Sequence, residues 1–408
     1  MEPTAHPTRV LLYSHDSQGL GHVRRNVALA HALAQHLPGR TGRGVTGMLL
    51  TGLDGVGATL PAGFDVISLP GIHKAAGGYA PRHVEVPMDD LIRVRRELLS
   101  AVALRFRPDL VVVDRHPYGV DNELRKALWR LRRRQPGTRI VLGLREVLDQ
   151  PEAVAREWAA VDLDRFRHTF DEIWVYGDPA VHDLRTSGEL PERLHDMVRF
   201  TGYLSTGRWT DPGARRHPRP YVVTMVGGGS DGDALCRAAA AAPVPPGHRH
   251  LVVTGPQMDE QAHEEVRALA TPDTEVVRRV DDGLRTIRGA AAVVAMAGYN
   301  TVTELLSTSV PGLLVPRERP RLEQAIRARA LARTGAVDTV SADAVTPELL
   351  GRWLAAATGR RVLRRHLDRD GLAVVAGRAA ELVPAAPGLG RAAAVHRTDT
   401  EQEPSRAV

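Results

Sequence analysis

A single cysteine, Cys236, is the chain's whole supply of thiol, which excludes an intramolecular disulfide and any zinc cluster built on cysteines. Its neighbours, Leu235 and the alanines at 238–242, suit a helix packing face rather than a nucleophile. Aromatic residues are only 4% of the chain, and nowhere do they alternate with basic residues as in a base-stacking nucleic-acid binder. Long apolar runs are missing too. No stretch approaches the roughly 20 residues of a membrane span, and residues 1–8 lack the charged and apolar regions of a signal peptide. A reducing, cytoplasmic setting is the expectation.

What is present is an ordinary globular composition, 43% hydrophobic and 25% charged over 408 residues. That length is enough for two domains, each with its own core. The formal net charge is +6, and arginine supplies nearly all of the cationic side chains, spread along the chain. Only residues 130–134 (RLRRR) form a dense run. A solvated helix face is the favoured reading of it; nucleic acid is not an expected partner, while a peripheral contact with an anionic membrane stays open. Nothing in the sequence fixes an oligomeric state.

The first buried strand, residues 9–14, runs into His15-Asp16-Ser17-Gln18-Gly19-Leu20-Gly21-His22. Apolar residues at helical spacing follow from 23 to 37. Gly19 and Gly21 therefore sit where a parallel strand turns into its helix, and His15, Asp16 and His22 should face the crevice at the carboxyl ends of the strands. Further strands are expected at 46–51, 65–69, 110–114, 140–144 and 172–176, with helices at 88–104, 120–133 and 152–166. Polar groups recur at the strand ends: Asp114-Arg115-His116, Arg145-Glu146, and a loop holding Lys74 and Tyr79. Core packing does not call for them, so a shared crevice is the economical reading. Residues 71–81 show no apolar period and read as a mobile loop able to close over an acceptor.

Residues 206–220 are rich in Pro, Gly and Arg and read as a linker between a first domain, 1–205, and a second, 221–383. The second domain opens on a strand at 221–226 and the loop Gly227-Gly228-Gly229-Ser230-Asp231-Gly232. Small residues between a buried strand and a helix N-terminus suit a phosphate or diphosphate. No Gly-Lys-Ser/Thr ends the loop, so it is not a P-loop. Strands at 250–254, 275–278, 291–295, 312–315 and 337–340 follow, with helices at 234–242, 259–269, 282–288, 299–306, 322–333, 347–357 and 361–382. Within them 293–324 reads as a right-handed βαβ unit: Gly298 at the turn lets the backbone approach a ligand, and Glu304 lies one turn into the helix, placed to accept from sugar hydroxyls. The tail, 384–408, lacks periodicity and is expected to be disordered.

A GxGH turn in the first half, with GGGS and AGYNTVTELL…VPR…EQ in the second, resembles the GT-B glycosyltransferases. The likeness is greatest to the MurG-like group, glycosyltransferase family 28, and within it to a subgroup carrying GLGHxRRN, DRxPxGxxxEL and GLRxxLD patterns. The resemblance covers residues 9–382 and implies two doubly wound Rossmann-like domains facing a central crevice. It implies that Gly228, Gly229 and Ser230 hold a donor diphosphate, with Gly298, Asn300 and Thr301 on the same donor side. Glu304 would bind the ribose, the Val280 backbone would read the base, and Gln324 would contact the donor sugar. Arg317, where this sequence departs from the MurG pattern, could pair with a phosphate or an acidic sugar. On the acceptor side stand Gly19, Gly21, Lys74, Tyr79, Asp114, Arg115, His116 and Arg145.

The implied reaction is inverting transfer of a sugar from a nucleoside-diphosphate donor, UDP ahead of dTDP, to a hydroxyl of a small-molecule or lipid-linked acceptor. It implies no cofactor and no metal, since backbone N–H groups and a helix dipole would stabilise the leaving diphosphate. A general base is needed; His22 is the first candidate, and Asp16, Asp114 and Glu146 are the others. The same turn also resembles nucleotide-sugar hydrolases, and the scaffold is shared with the non-hydrolysing UDP-sugar 2-epimerases. A catalytically silent nucleotide-sugar-binding protein is the alternative from a different class.

Overall fold

The computed structural model describes residues 6–15, 21–53, 60–75, 78–213, 217 and 219–386. In chain order the first half comprises β1 (Thr8–Tyr13), α1 (Gly21–Thr41), β2 (Val45–Thr51), β3 (Phe64–Ser68), β4 (Ile72–Ala75), β5 (Gly78–Pro81), α2 (Met88–Phe106), β6 (Leu110–Asp114), α3 (Arg125–Arg134), β7 (Arg139–Arg145), α4 (Pro151–Ala159), α5 (Leu163–Thr169), β8 (Glu172–Tyr176) and β9 (Val198–Phe200). The second half comprises β10 (Tyr221–Met225), α6 (Asp233–Ala240), β11 (Arg249–Val253), α7 (Glu260–Ala268), β12 (Thr274–Val277), α8 (Gly283–Gly289), β13 (Val293–Ala295), α9 (Tyr299–Leu306), β14 (Gly312–Leu314), α10 (Glu323–Arg333), β15 (Asp338–Thr339), α11 (Pro347–Ala357) and α12 (Gly371–Leu382).

Seven parallel strands in the order β3-β2-β1-β6-β7-β8-β9 form the first sheet, and six in the order β12-β11-β10-β13-β14-β15 form the second. Runs such as Leu110, Val111, Val112 and Val113 are buried on both faces, as helices on each side of a parallel sheet require. In both sheets the strand order reverses beside the first strand, between β1 and β6 and between β10 and β13. Ligands of open α/β sheets bind at such a reversal, beyond the carboxyl ends of the strands. Four loops are thereby singled out: those after β1, β6, β10 and β13.

The two halves share apolar packing. One buried cluster runs from Val10, Leu12 and Leu33 through Leu372, Val375, Ala376 and Ala379 to Val293 and Leu305. Its bridge is α12, which follows the second sheet in sequence but packs along α1 of the first half. No described helix is long and apolar enough to cross a membrane.

Several local expectations change. Residues 71–81, read as a mobile loop, hold the antiparallel pair β4 and β5; Ile72 is buried with Leu91, Ile92 and Val120, a contact that a four-residue strand is too short to announce. The single helix expected at 152–166 is two, because Asp162 caps a fresh start by accepting the Arg165 N–H at 3.1 Å. Helix α3 begins only at Arg125, after Asp121 and Asn122 take positive φ of 46° and 57°. Residues 361–370 are not helical; Arg364 there donates instead to the carbonyls of Thr308, Val310 and Ala336. The short strand β9 has too few residues to show a period. The tail beyond residue 386, together with Asp16 and Gly19, lies outside the described residues.

Candidate active site

At the first reversal, His22 begins α1 and Asp114 ends β6. His22 Nδ1 lies 2.7 Å from Asp114 Oδ2. The chain reaches this geometry through a strained turn: Arg115 has φ 70° and the His116 N–H donates to the Asp114 carbonyl at 2.9 Å. A non-glycine residue in that region costs about 1–3 kcal/mol, so the packing around it must hold the turn. Arg25, one turn along α1, donates through Nη2 to Asp114 Oδ1 at 2.7 Å and to Oδ2 at 2.5 Å. Burial alone would raise the Asp114 pKa, but Arg25 and then His22 hold the carboxylate well below its usual range. With Asp114 anionic, His22 Nδ1 is its natural donor, and Arg25 Nη2 lies 3.1 Å from the same nitrogen.

Two more imidazoles complete this corner. His15 lies 4.7 Å from His22 and 4.9 Å from His116, centroid to centroid. Burial first, then neighbouring positive charge, pushes both His15 and His116 well below the ordinary histidine range. Both rings are thus neutral at pH 7.

The second reversal supplies two glycine turns back to back. Gly229 has φ 96°, and a Cβ there would stand 2.2 Å from the Thr254 carbonyl; Gly255 has φ 84°, and its Cβ would stand 2.5 Å from the carbonyl of Gly228. Only glycine fits either position. The Gln257 N–H donates to the Gly228 carbonyl at 2.9 Å, which locks the two loops together. Ser230 is exposed at their rim and Gly228 half-buried. Gly298 caps α9, and a Cβ there would meet nothing within 4 Å, so the space before that helix is open.

Helix α9 also ties the halves together. The Asn300 amide donates to the Gly21 carbonyl at 2.8 Å and accepts from Arg208 at 3.0 Å. Tyr299 donates to the Tyr176 carbonyl at 2.8 Å, with the Arg25 guanidinium 5.5 Å from its ring centre. Glu304, expected to be free for a ribose, is buried and accepts from Arg24 at 2.5 Å and Arg208 at 3.2 Å. Glu146, an expected candidate base, is likewise engaged: Arg327 donates to it at 2.6 Å from across the cleft, with both side chains 1% exposed. Its place in the structure is that of a buried interdomain ion pair.

The remaining residues fall into place as follows. Thr301 is buried in α9, and Val280 packs against the shared apolar cluster. Arg317 is paired with Asp231 at 2.8 Å and with Glu323 at 2.6 Å, so its charge is already matched. Gln324 accepts the Arg317 N–H at 3.3 Å. Arg115 reaches Glu157 at 2.5 Å. Arg145 ends β7, half-buried. Lys74 is exposed on the hairpin opposite half-buried Tyr79, whose ring packs toward α2; among the described residues no contact joins either to the His22–Asp114 pair. Sequence reasoning assigned no role to Arg25, Arg208, Tyr299, Arg327 or Gly255. The Arg24-Arg25 doublet after the turn histidine was the available signal for one of them; Arg208, Tyr299 and Arg327 gain their meaning from partners more than 90 residues away, as in Arg208 to Asn300 and Arg327 to Glu146, and Gly255 gains its own from the facing Gly228 turn.

Residues 222–358 match the glycosyltransferase family 28 C-terminal domain. An uncharacterized glycosyltransferase of Methanosarcina acetivorans is 26% identical over 127 residues, 31% of this chain and 32% of that protein; the match thus spans about a third of the relative's length. Among solved structures, the glycotransferase of kitacinnamycin aligns with TM-score 0.58 at 17% identity, covering 93% of this chain and 100% of that one. MurG of Acinetobacter baumannii aligns with TM-score 0.50 at 15% identity, covering 93% and 96%. At such identities the shared property is the fold, and the fold is GT-B.

Proposed function

We propose that this protein is a glycosyltransferase that moves a sugar from a nucleoside-diphosphate donor, UDP before dTDP, to an acceptor hydroxyl with inversion at the anomeric carbon. The observation that carries the reading is the His22–Asp114 pair at 2.7 Å, on the opposite side of the crevice from the Gly228–Gly255 double turn. His22 Nε2 takes the proton of the acceptor hydroxyl as its oxygen attacks the anomeric carbon, and the bond to the donor's phosphate breaks. Asp114 stabilises the imidazolium that forms and fixes the ring's tautomer; Arg25 keeps Asp114 anionic and oriented. The leaving diphosphate is received by N–H groups of the 227–230 turn and the open N-terminus of α9, which supply partial positive charge without a metal. The match of residues 222–358 to the family 28 C-terminal domain supports placing the donor there.

The test is a thermal-shift panel of nucleoside diphosphates and their sugars, since a ligand that binds the native state raises its melting point according to affinity. UDP or dTDP and one of their sugars should raise it. If none does, the nucleotide-sugar reading fails. A binding donor is then incubated with and without acceptor alcohols. Release of nucleoside diphosphate that depends on the acceptor supports transfer, whereas rapid release without one assigns the dyad to activating water and makes the protein a hydrolase.

A further inference from the structure

Arg145 ends β7, and the charges of three other guanidinium groups, Arg327, Arg25 and Arg115, bear on it. Those three have carboxylate partners. Arg25 holds Asp114 at 2.5 Å, Arg115 holds Glu157 at 2.5 Å, and Arg327 holds Glu146 at 2.6 Å. Arg145 has none: among the described residues no acceptor lies within reach of it, and its Nε is enclosed without a partner. Glu323 is the carboxylate whose field most favours the Arg145 charge; its Oε1 is bound to Arg317, while its Oε2 is enclosed without a partner.

Arg115 also has an enclosed, unpartnered Nε, so what sets Arg145 apart from its three neighbours is the missing carboxylate. A half-buried cation beside three others is unfavourable unless an anion completes the set. The same field is visible in its acidity, which burial first, and then Arg327, push down to about 9, far below any ordinary arginine. Its planar fork suits two-point binding of a carboxylate or phosphate. The place is informative as well. Arg145 ends β7, the strand beside β6 and its terminal Asp114, and the charge of Glu323 at the start of α10 acts on it, whereas the glycine double turn is built from separate loops.

We propose that Arg145 is an anion-recognition residue, which takes a carboxylate or phosphate carried either by the transferred sugar or by the acceptor, in addition to the donor's diphosphate. The assignment of that anion to a substrate rests on the glycosyl-transfer reading above. Its chemistry is the same from either source, so the source is left to the experiment.

The full-length protein and its Arg145→Leu and Arg145→Lys variants are titrated with inorganic phosphate at constant ionic strength, with and without saturating UDP, and with UDP, UDP-glucose and UDP-glucuronate. Phosphate should bind the wild type, weaken at least tenfold in Arg145→Leu and less in Arg145→Lys, while UDP binds all three alike. A wild-type preference for UDP-glucuronate over UDP-glucose that vanishes in Arg145→Leu identifies the donor sugar as the carrier. Absence of that preference, with phosphate still binding through Arg145 beside bound UDP, identifies the acceptor. Equal phosphate and glucuronate responses in wild type and Arg145→Leu overturn the proposal. So does a tenfold loss of UDP itself in Arg145→Leu, which would assign Arg145 to the diphosphate. If no nucleotide binds the wild type, the transfer reading fails, and phosphate titration without nucleotide still reports on Arg145. Arg145→Lys keeps the charge and decides the matter should the leucine variant not fold.

Discussion

Arg327 and Glu146 come from opposite halves of the molecule, and their side chains meet at 2.6 Å with 1% of each exposed. Arg327 also donates to the Ala297 carbonyl at 2.9 Å, at the turn that leads into α9. The ion pair is thus one of the contacts, with those of α9 and α12, that hold the strand ends of the two sheets together. Removing one partner leaves the other charge buried and unmatched, which costs about 3–5 kcal/mol, whereas replacing both with apolar groups of similar volume is often close to neutral. Glu146→Ala should destabilise the protein by that amount, and Glu146→Leu with Arg327→Met by much less. Urea denaturation of the three proteins measures both; a Glu146→Ala protein as stable as wild type would show that the pair is solvated and holds nothing.

His22→Ala should lower kcat at least about 100-fold, the usual scale of a lost general base, with donor affinity unchanged. Asp114→Asn should also lower kcat, but it strips Arg25 of its buried partner and so should cost stability too. Comparing kcat with melting temperature separates the two variants. Full turnover by His22→Ala with a true acceptor would remove the base assignment.

Arg24 occupies Glu304 at 2.5 Å, the carboxylate that the family resemblance gives to the donor's ribose. Ribose hydroxyls and Arg24 would then compete for it. Arg24→Ala should tighten binding of a nucleoside diphosphate several-fold, and Glu304→Ala should weaken it at least tenfold, both measured by calorimetry. Equal weakening by the two variants would make the contact a domain clamp with no part in donor entry.

His250 is wholly buried in β11, with Nε2 2.8 Å from Thr224 Oγ1, and burial pushes its pKa from 6.5 down to about 4. The unfolded chain takes up this proton first as the pH falls. The neutral ring's contribution is therefore complete above pH 6.5 and is lost as the pH falls through 4, a decline of about 3 kcal/mol. His15, also pushed down by burial, adds in the same direction. Denaturation curves at pH 7, 5.5 and 4.5 should show the decline, and His250→Gln should flatten part of it. An unchanged slope in that variant would locate the acid sensitivity elsewhere.

The sequence alone determined most strands of the two main sheets and their strand-end turns, because those depend on local signals: apolar runs such as 110–113, helical spacing after His22, and a glycine at 229 that no side chain could replace sterically. It also placed His22 and Asp114 on the same crevice, since the strand ends of a parallel sheet share an edge. Only the tertiary structure decided what each charged group does. Asp114 became the partner of His22 and Arg25, Glu146 became a clamp on Arg327, Glu304 came to rest between Arg24 and Arg208, and Arg145 was left without an acceptor. An ion pair depends on the distance between two side chains, and when its members stand 181 residues apart, as Glu146 and Arg327 do, no local pattern in the chain encodes that distance.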